Sequence, residues 1–302
     1  MRRLHPACIE CLIHSKLTSV PEGTSEERKA EYMQAVLRLL GEAPKEYAAP
    51  LLAREIEKLQ KEMYGYEEDF TETKIHFNHL MLKLETEIDE QVEAADDPIK
   101  LAMQYAMVGN YIDFGAMYKV DETYLKEFLK CAPEKEFDQK PFEMMKKELS
   151  AAQKMVYLTD NCGEIVADKI LIRQLQKYYP DLDITVIVRG APASNDATIE
   201  DAQQVGLTEM VKVIGNGSNL AGTWLEELSE DAKSRIEGAD LILAKGQANY
   251  ETLRGLGLNI YHLFLCKCPL FSYWFDVPQF TGMLINERQK FGANNKTIIN
   301  CG

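Results

Sequence analysis

The second half of the chain alternates short apolar runs with amphipathic stretches, and this alternation restricts the fold more than any other feature of the sequence. Apolar runs of strand length begin near residues 155, 183, 210, 240 and 259, and most precede a segment with helical spacing. These runs are apolar at nearly every position, whereas a sheet with one solvated face would alternate apolar and polar residues. The pattern predicts a parallel sheet covered by helices on both faces, a three-layer, Rossmann-like α/β arrangement.

The first half of the chain lacks such runs and has the spacing of amphipathic helices. Segments 27–43, 49–65, 71–95 and 96–110 carry apolar residues three or four positions apart, and Pro or Gly marks several of their ends. We therefore predict a helical N-terminal domain over residues 1–150, followed by a parallel-sheet α/β domain over residues 151–302.

Composition excludes several classes of partner. The net charge of −14 argues against a surface for nucleic acid or an anionic membrane, because both need clustered Lys and Arg side chains. No apolar run approaches the roughly 20 residues of a membrane-spanning helix. Seven cysteines are spread along the chain without the pattern of a disulfide framework, which favours a cytoplasmic location. The sequence carries no signal for an oligomeric state.

Polar side chains follow three of the predicted strands at the point where each strand ends. Asp160 and Asn161 follow the first strand, Asn195 and Asp196 the second, and Lys245 the fourth. Each alone could be a helix cap or a solvated side chain. Because the carboxyl ends of parallel strands share one edge, we expect these residues to face one cleft. Carboxylate and amide oxygens suit Mg²⁺ or Mn²⁺, and an ammonium group can balance phosphate charge. The set predicts a metal-dependent phosphoryl-hydrolase site.

The same segments resemble a known family. The motifs "TDNCGEIVADK", "RGAPASNDATIEDA" and "KGQANYETL", with "GNYID" (109–113) and the early "CIEC", resemble the damage-control phosphatases, formerly a domain of unknown function, and in particular their bacterial and archaeal branch. The resemblance implies an active cleft between a helical and an α/β domain. It also implies hydrolysis of small phosphometabolites, often sugar phosphates, with Mn²⁺, Co²⁺, Ni²⁺ or Mg²⁺. Ala248 departs from the pattern, because the family often has Gly there.

The resemblance also implies roles for individual residues. Asp160, Asn161 and Asp196 would bind the divalent metal, and Asp160, Asp196 and Lys245 would carry the chemistry. Glu164 is either a base behind these ligands or an acid favoured by the first turn of a helix. The resemblance implies five substrate-binding residues: Asn110, Asp113, Glu164, Lys245 and Asn249. Of these, Asn110 and Asp113 would close the cleft from the helical side.

The sequence leaves open the nucleophile and two other functions. Phosphatases of the haloacid-dehalogenase type use an aspartyl nucleophile with a second Asp two residues later; here that position is Cys162, which favours attack by water over attack by Asp160. One eukaryotic branch has been described as a protein carboxyl methyltransferase that uses S-adenosylmethionine. Such enzymes usually hold the ribose with an acid after the second strand, where this chain has Arg189. A non-catalytic protein that binds a metal or nucleotide is the other alternative.

A further pattern involves the cysteines near the start of the chain. Cys8 and Cys11 are spaced as half of a zinc site, and Cys268 of "CKC" could add a ligand if the first helix packs on that strand end. We therefore consider a second metal or redox site at Cys8, Cys11 and Cys268. Buried cysteines that only fill the core are the alternative.

Overall fold

The structure is a computed structural model that describes residues 4–114 and 120–288 of the 302-residue chain. The end of the predicted α/β domain, residues 289–302, therefore lies outside the described residues. The helices are α1 (Pro6–Thr18), α2 (Glu26–Glu42), α3 (Ala49–Tyr64), α4 (Thr71–Glu93), α5 (Pro98–Gly109), α6 (Glu122–Lys130), α7 (Gln139–Leu149), α8 (Glu164–Tyr178), α9 (Ile199–Gln204), α10 (Glu230–Glu237), α11 (Gly246–Leu253) and α12 (Pro269–Phe275). The strands are β1 (Lys154–Leu158), β2 (Asp183–Val188), β3 (Lys212–Gly215), β4 (Leu241–Lys245), β5 (Ile260–Leu265) and β6 (Gly282–Asn286).

The strands form one sheet in the order β3-β2-β1-β4-β5-β6. Strands β1 to β5 are parallel to their neighbours, and β6 pairs antiparallel with β5. The chain order reverses at β1, because the chain leaves β1 towards β2 and β3 and later returns to its other side with β4. Ligands of such sheets bind beyond the strand ends at this switch point.

The sheet has a hydrophobic core on each face. Tyr157 of β1 and Leu243 of β4 pack in one core with α4, α5 and α8, whereas their neighbours Val156 and Ile242 pack in a second core with α10 and α11. Successive side chains of a strand point to opposite faces, which explains why these strands are apolar at nearly every position. The predicted three-layer α/β class is confirmed.

The described chain divides into two compact units, with the boundary between Asp69 and Phe70. The first unit contains α1, α2 and α3, whose core includes Leu12, Tyr32 and Ile56. The second contains all the strands and the helices from α4 onwards. The predicted boundary at residue 150 lies inside the second unit, because α4 and α5 share a core with the sheet. No helix among the described residues combines the length and hydropathy needed to cross a membrane.

His262 lies within β5 and is fully buried. Neither ring nitrogen has a hydrogen-bond partner among the described residues. The ring packs edge-on against Tyr250, with the two centroids 5.0 Å apart. Burial lowers the pKa of His262 from 6.5 to about 3, because no neighbouring group stabilises the charged imidazolium.

We expect His262 to make stability fall as the pH drops below 6.5, the ordinary pKa of the imidazole. A pKa that is lower in the folded than in the unfolded protein stabilises the fold fully above the unfolded value. This contribution is lost as the pH falls towards the folded value. At about 1.36 kcal/mol per unit, the loss between pH 6.5 and pH 5 is about 2 kcal/mol.

Urea unfolding of the wild type and of His262→Phe measures this effect. The difference in unfolding free energy between the two proteins should change by about 2 kcal/mol between these pH values. His76→Gln is the control, because His76 is exposed and pairs with Glu122. A wild-type-minus-variant difference that does not change with pH would contradict the assignment.

Candidate active site

The loop after β2 folds back onto the end of β1 and brings the three predicted metal ligands together. Strands β1 and β2 are in parallel register up to Leu158 and Ile187. Beyond them, Asn161 pairs with Asp196 in an isolated antiparallel bridge, and the amide of Ala197 donates to the carbonyl of Asp160 at 2.7 Å. Asp160, Asn161 and Asp196 therefore lie side by side at the carboxyl edge of the sheet, as the sequence predicts.

Each of these three side chains is fixed at one atom and has another oxygen without a hydrogen-bond donor. Asp160 Oδ2 accepts hydrogen bonds from the Nδ2 atoms of Asn110 (2.9 Å) and Asn161 (2.8 Å). Asp196 Oδ2 accepts from Arg189 Nε at 2.6 Å. Among the described residues, no group donates to the Oδ1 atoms of Asp160, Asn161 or Asp196, although Arg189 Nη2 lies 3.6 Å from Asp160 Oδ1. Three such oxygens on adjacent side chains fit a hard divalent cation.

The charges around these oxygens point the same way. Five carboxylates face three cations, an excess of two negative charges: Asp113, Asp160, Glu164, Asp168 and Asp196 against Arg189, Lys245 and Lys267. Burial, followed by the charges of Asp196 and Glu164, raises the pKa of Asp160 well above its ordinary range. Burial also raises the pKa of Asp196 to about 6, although Arg189 acts against this shift. A divalent cation would supply the missing positive charge.

The number of protein ligands is small. Within the described residues, no three His, Cys, Asp or Glu side chains are grouped so that they could hold a metal ion. The set at this edge consists of two carboxylates and one amide, so an ion bound there would complete its coordination with water or substrate oxygens. Mg²⁺ is usually bound in this way, through one or two carboxylates together with waters and substrate phosphates.

Lys245, expected to contact a substrate phosphate, lies in a buried ion-pair cluster instead. Its Nζ donates to Glu164 Oε1 at 2.5 Å, to Asp168 Oδ1 at 2.8 Å and to the carbonyl of Ala106 at 2.9 Å. These three bonds use all the protons of the ammonium group, whose side chain is fully buried. The cause is the direction of the last side chain of β4, which faces α5 and α8. Burial lowers the pKa of Lys245, but the two carboxylates outweigh it and raise the pKa above the ordinary value.

Glu164 connects this cluster to the predicted metal ligands. Its Oε2 atom accepts hydrogen bonds from Asn110 Nδ2 (2.9 Å), Asn161 Nδ2 (3.0 Å) and the amide of Asn161 (3.3 Å). Because Asn161 Nδ2 is bound by Glu164 and Asp160, its Oδ1 atom is turned away from both. Glu164 is thus more than an acid in the first turn of a helix, since it orients a predicted metal ligand.

Lys267, which follows β5, is a second buried cation at the site and was missed in the sequence. Its Nζ donates to the carbonyl of Asn110 at 2.6 Å and pairs with the carboxylate of Asp113. Asn110 is itself fixed, because its Oδ1 accepts from the amide of Leu265 at 3.2 Å. Asn110 and Asp113 therefore lie at the site as expected. The available signal was the position of Lys267 near the carboxyl end of a predicted strand, similar to the position that selected Lys245 at the end of β4.

Asn249 is fully buried, and both ends of its side-chain amide are bound to other protein groups. Its Nδ2 donates to the carbonyls of Thr159 (3.1 Å) and Lys245 (2.7 Å), and its Oδ1 accepts from Thr223 Oγ1 at 2.8 Å. The side chain is buried and connects the ends of β1 and β4 to the loop after β3. This geometry supports a bracing role and not the expected contact with substrate.

The three cysteines of the predicted second metal or redox site belong to different units. Cys8 and Cys11 lie on α1 in the first unit, and Cys268 lies at the start of α12 in the second. The second metal or redox site stays a prediction. Cys162 is buried beside the predicted ligands, and burial raises its pKa to about 12. Its thiol is therefore protonated at neutral pH and unsuited to act as a nucleophile.

Gly246 allows α11 to begin directly against Asp160. Its φ of +78° is in the left-handed region, and a Cβ at this position would lie 1.9 Å from Asp160 Oδ2. We expect Gly246→Ala to displace this carboxylate, to weaken binding of the predicted metal and to destabilise the fold by about 1–3 kcal/mol. Calorimetry and urea unfolding measure the two effects. Gly41→Ala is the control, because nothing lies within 4 Å of an added Cβ there. Unchanged affinity and stability in Gly246→Ala would contradict this expectation.

Comparisons with known proteins agree with one another. The profile of the damage-control phosphatase ARMT1-like domain matches residues 4–280. A damage-control phosphatase of Archaeoglobus fulgidus is 34% identical over 274 residues, which cover 88% of this chain and 93% of that protein. A damage-control phosphatase of Pyrococcus horikoshii is 29% identical over 289 residues, covering 94% and 97%. The crystal structure of a DUF89 family protein from Pyrococcus horikoshii matches with a TM-score of 0.77 at 25% identity, covering 94% of this chain and 99% of that one.

Proposed function

Because the chain belongs to the family of damage-control phosphatases with an ARMT1-like domain, we propose that it is a metal-dependent phosphatase of small phosphorylated metabolites such as sugar phosphates. One observation carries the assignment to a site. The Oδ1 atoms of Asp160, Asn161 and Asp196 have no hydrogen-bond donor among the described residues, and the three residues are neighbours in a region where negative charge exceeds positive charge by two. We also propose a cytoplasmic location, from the cysteine pattern.

The metal would be Mn²⁺, Co²⁺, Ni²⁺ or Mg²⁺, held by Asp160, Asn161 and Asp196. Such an ion polarises a phosphoryl oxygen and lowers the pKa of water. The protein itself supplies the geometry. Glu164 holds Asn161 in the orientation that leaves its Oδ1 atom without a donor. Lys245 neutralises the charge of Glu164 through a buried ion pair. We assign Lys245 this supporting role instead of a contact with phosphate.

A second cation is better placed for the substrate. Lys267 Nζ is held between Asp113 and the carbonyl of Asn110, at the side of the site formed by the end of α5. A fixed ammonium group at this position can balance the charge on phosphoryl oxygens. We therefore propose that Lys267, with Asp113 orienting it, takes the phosphate-binding role that the sequence suggested for Lys245.

We propose attack by water and not by Asp160. Asp160 Oδ2 already accepts two amide hydrogen bonds, which hold the carboxylate in place and reduce its nucleophilicity. The residue two positions later is Cys162, whose buried thiol cannot take the part of a second carboxylate. The methyltransferase alternative gains no support from Arg189, since its Nε is bound to Asp196 at 2.6 Å and the side chain is buried.

The test is phosphate release from metal-stripped protein, with each of the four metals added back singly. The substrates are a panel of sugar phosphates and p-nitrophenyl phosphate. We expect metal-dependent release from at least one ester. A parallel assay follows methyl transfer from S-adenosylmethionine to protein carboxyl groups. Methyl transfer without phosphate release would overturn the proposal in favour of a methyltransferase. Tight ligand binding with neither activity would indicate a binding protein.

A further inference from the structure

Arg189 is among the largest fully buried side chains of the protein and lies beside Asp160 and Asp196. Its guanidinium group contacts both of them: Nε donates to Asp196 Oδ2 at 2.6 Å, and Nη2 lies 3.6 Å from Asp160 Oδ1. The side chain is 1% exposed, so water does little to stabilise its charge. One cation is thus shared between the two carboxylates that the proposed function assigns to the metal.

Much of the hydrogen-bonding capacity of Arg189 is unused. The guanidinium group has five N–H donors. Nε is bound to Asp196, and Nη1 has only a long contact of 3.5 Å with Thr223 Oγ1. Nη2 has no hydrogen-bond partner in the described part of the chain, although it is buried. A group buried for hydrogen bonding alone would be better satisfied, because unpaired buried donors are costly. The position of the charge explains the burial better.

We propose that Arg189 is a built-in counter-charge, which stabilises the acidic site in the metal-free protein and limits how tightly a divalent ion binds. This inference rests on the proposed function, because it concerns the same metal site. Arg189 and the ion neutralise the same two carboxylates. With Arg189 present, the excess is two negative charges, the charge of one divalent ion; without it, the excess would be three.

Two effects of removing Arg189 oppose each other, and their sizes decide the sign. Asp196 would lose a partner that orients it, which weakens metal binding. The ion would lose a repulsive charge at close range, which strengthens it. Charge interactions in a buried site are much stronger than in water, and the repulsion between a monovalent and a divalent cation is doubled. We therefore expect the loss of repulsion to dominate.

The experiment compares the wild type with Arg189→Gln and Arg189→Lys. Calorimetry measures the affinity for Mn²⁺, and thermal unfolding is followed in chelator and in saturating Mn²⁺. In Arg189→Gln, we expect a lower Tm in chelator, Mn²⁺ affinity at least about tenfold tighter, and a larger rise in Tm on Mn²⁺ addition than in the wild type. Arg189→Lys restores the charge without the planar fork and should return all three quantities towards wild-type values.

Arg173→Gln is the matched control. It also removes a positive charge that pairs with two acids, Glu85 and Asp89. Arg173 is on α8, about 15 Å along the helix axis from Gly163. We expect its variant to bind Mn²⁺ with wild-type affinity.

Three results would overturn the inference. Arg189→Gln could bind Mn²⁺ no more tightly than the wild type, with Tm lowered equally in chelator and in Mn²⁺, as a purely structural residue requires. Arg189→Gln could fail to fold even in saturating Mn²⁺, although the ion should replace the missing charge if Arg189 is only a counter-charge. Arg189→Lys could bind as Arg189→Gln does, which would show that charge is not the cause. If the wild type itself binds no divalent ion, the proposed metal site fails as well, so the two failures are distinguishable.

Discussion

Replacing Asp160 by asparagine should reduce metal-stimulated phosphate release about 10²–10³-fold and leave the fold intact. Asparagine has the same size and can still accept the hydrogen bonds of Asn110 and Asn161 through its oxygen. It removes one of the two charges that would hold the ion, and it can turn an NH₂ group towards the metal. The same reasoning applies to Asp196→Asn, which loses the partner of Arg189.

Asp240→Asn is the matched control for this prediction. Asp240 precedes β4, at the opposite edge of the sheet, and accepts hydrogen bonds from the amides of Gln153 and Lys154 at 2.9 Å. The change in charge and size is identical, so activity should stay close to that of the wild type. Circular dichroism and urea unfolding establish that all the variants are folded. Full turnover in folded Asp160→Asn and Asp196→Asn would place the active site elsewhere.

Replacing Lys245 by methionine should destabilise the protein by about 3–5 kcal/mol, because it leaves two carboxylates buried without a cation. Glu164 and Asp168 are both fully buried. The ammonium group lies 2.5 Å from Glu164 Oε1 and 2.8 Å from Asp168 Oδ1. Asp168 has a further oxygen, Oδ2, without a hydrogen-bond partner among the described residues. Methionine matches the length of lysine, so loss of packing contributes little.

Urea unfolding of Lys245→Met measures this loss, and Lys154→Met is the control. Lys154 begins β1 and is exposed, so its replacement should change the free energy of unfolding by less than about 0.5 kcal/mol. The experiment also separates two roles for Lys245. If the variant is as stable as the wild type but has a lower kcat/KM, Lys245 contacts the substrate, and our assignment to the buried cluster is wrong.

The sequence predicts the sheet well because a buried parallel strand leaves a strong local signal. Strands β1, β2, β4 and β5 are apolar at most positions, whereas the short β3 is apolar only at Val213 and Ile214, and the predicted and observed runs overlap. The edge strand β6 was missed, because it joins the sheet by antiparallel pairing with β5, whereas the predicted pattern was one of parallel strands alternating with helices. The local sequence pattern could not show that α4 and α5 belong to the same compact unit as the sheet, because this depends on packing between segments distant in sequence.

The site was predicted in part for a similar reason. The rule that strand ends share an edge brought Asp160, Asn161 and Asp196 together correctly, because it depends only on topology. It does not give the direction of a side chain. Lys245 ends β4 and Lys267 comes two residues after β5, yet the ammonium group of Lys245 binds Glu164 of α8 and that of Lys267 binds Asp113. The contribution of Arg189 also depends on the loop that folds back from β2, which the sequence pattern does not show.

The most direct test of the central claim is a titration of metal-stripped protein with Mn²⁺. Calorimetry gives the occupancy of the site, and phosphate release from a substrate of the panel is measured at the same free concentrations. We predict one Mn²⁺ bound per chain, activity that rises in proportion to occupancy, and loss of both in Asp160→Asn. Phosphate release that is unchanged by stripping and by chelator, or Mn²⁺ binding that persists at full affinity in Asp160→Asn, would contradict the account.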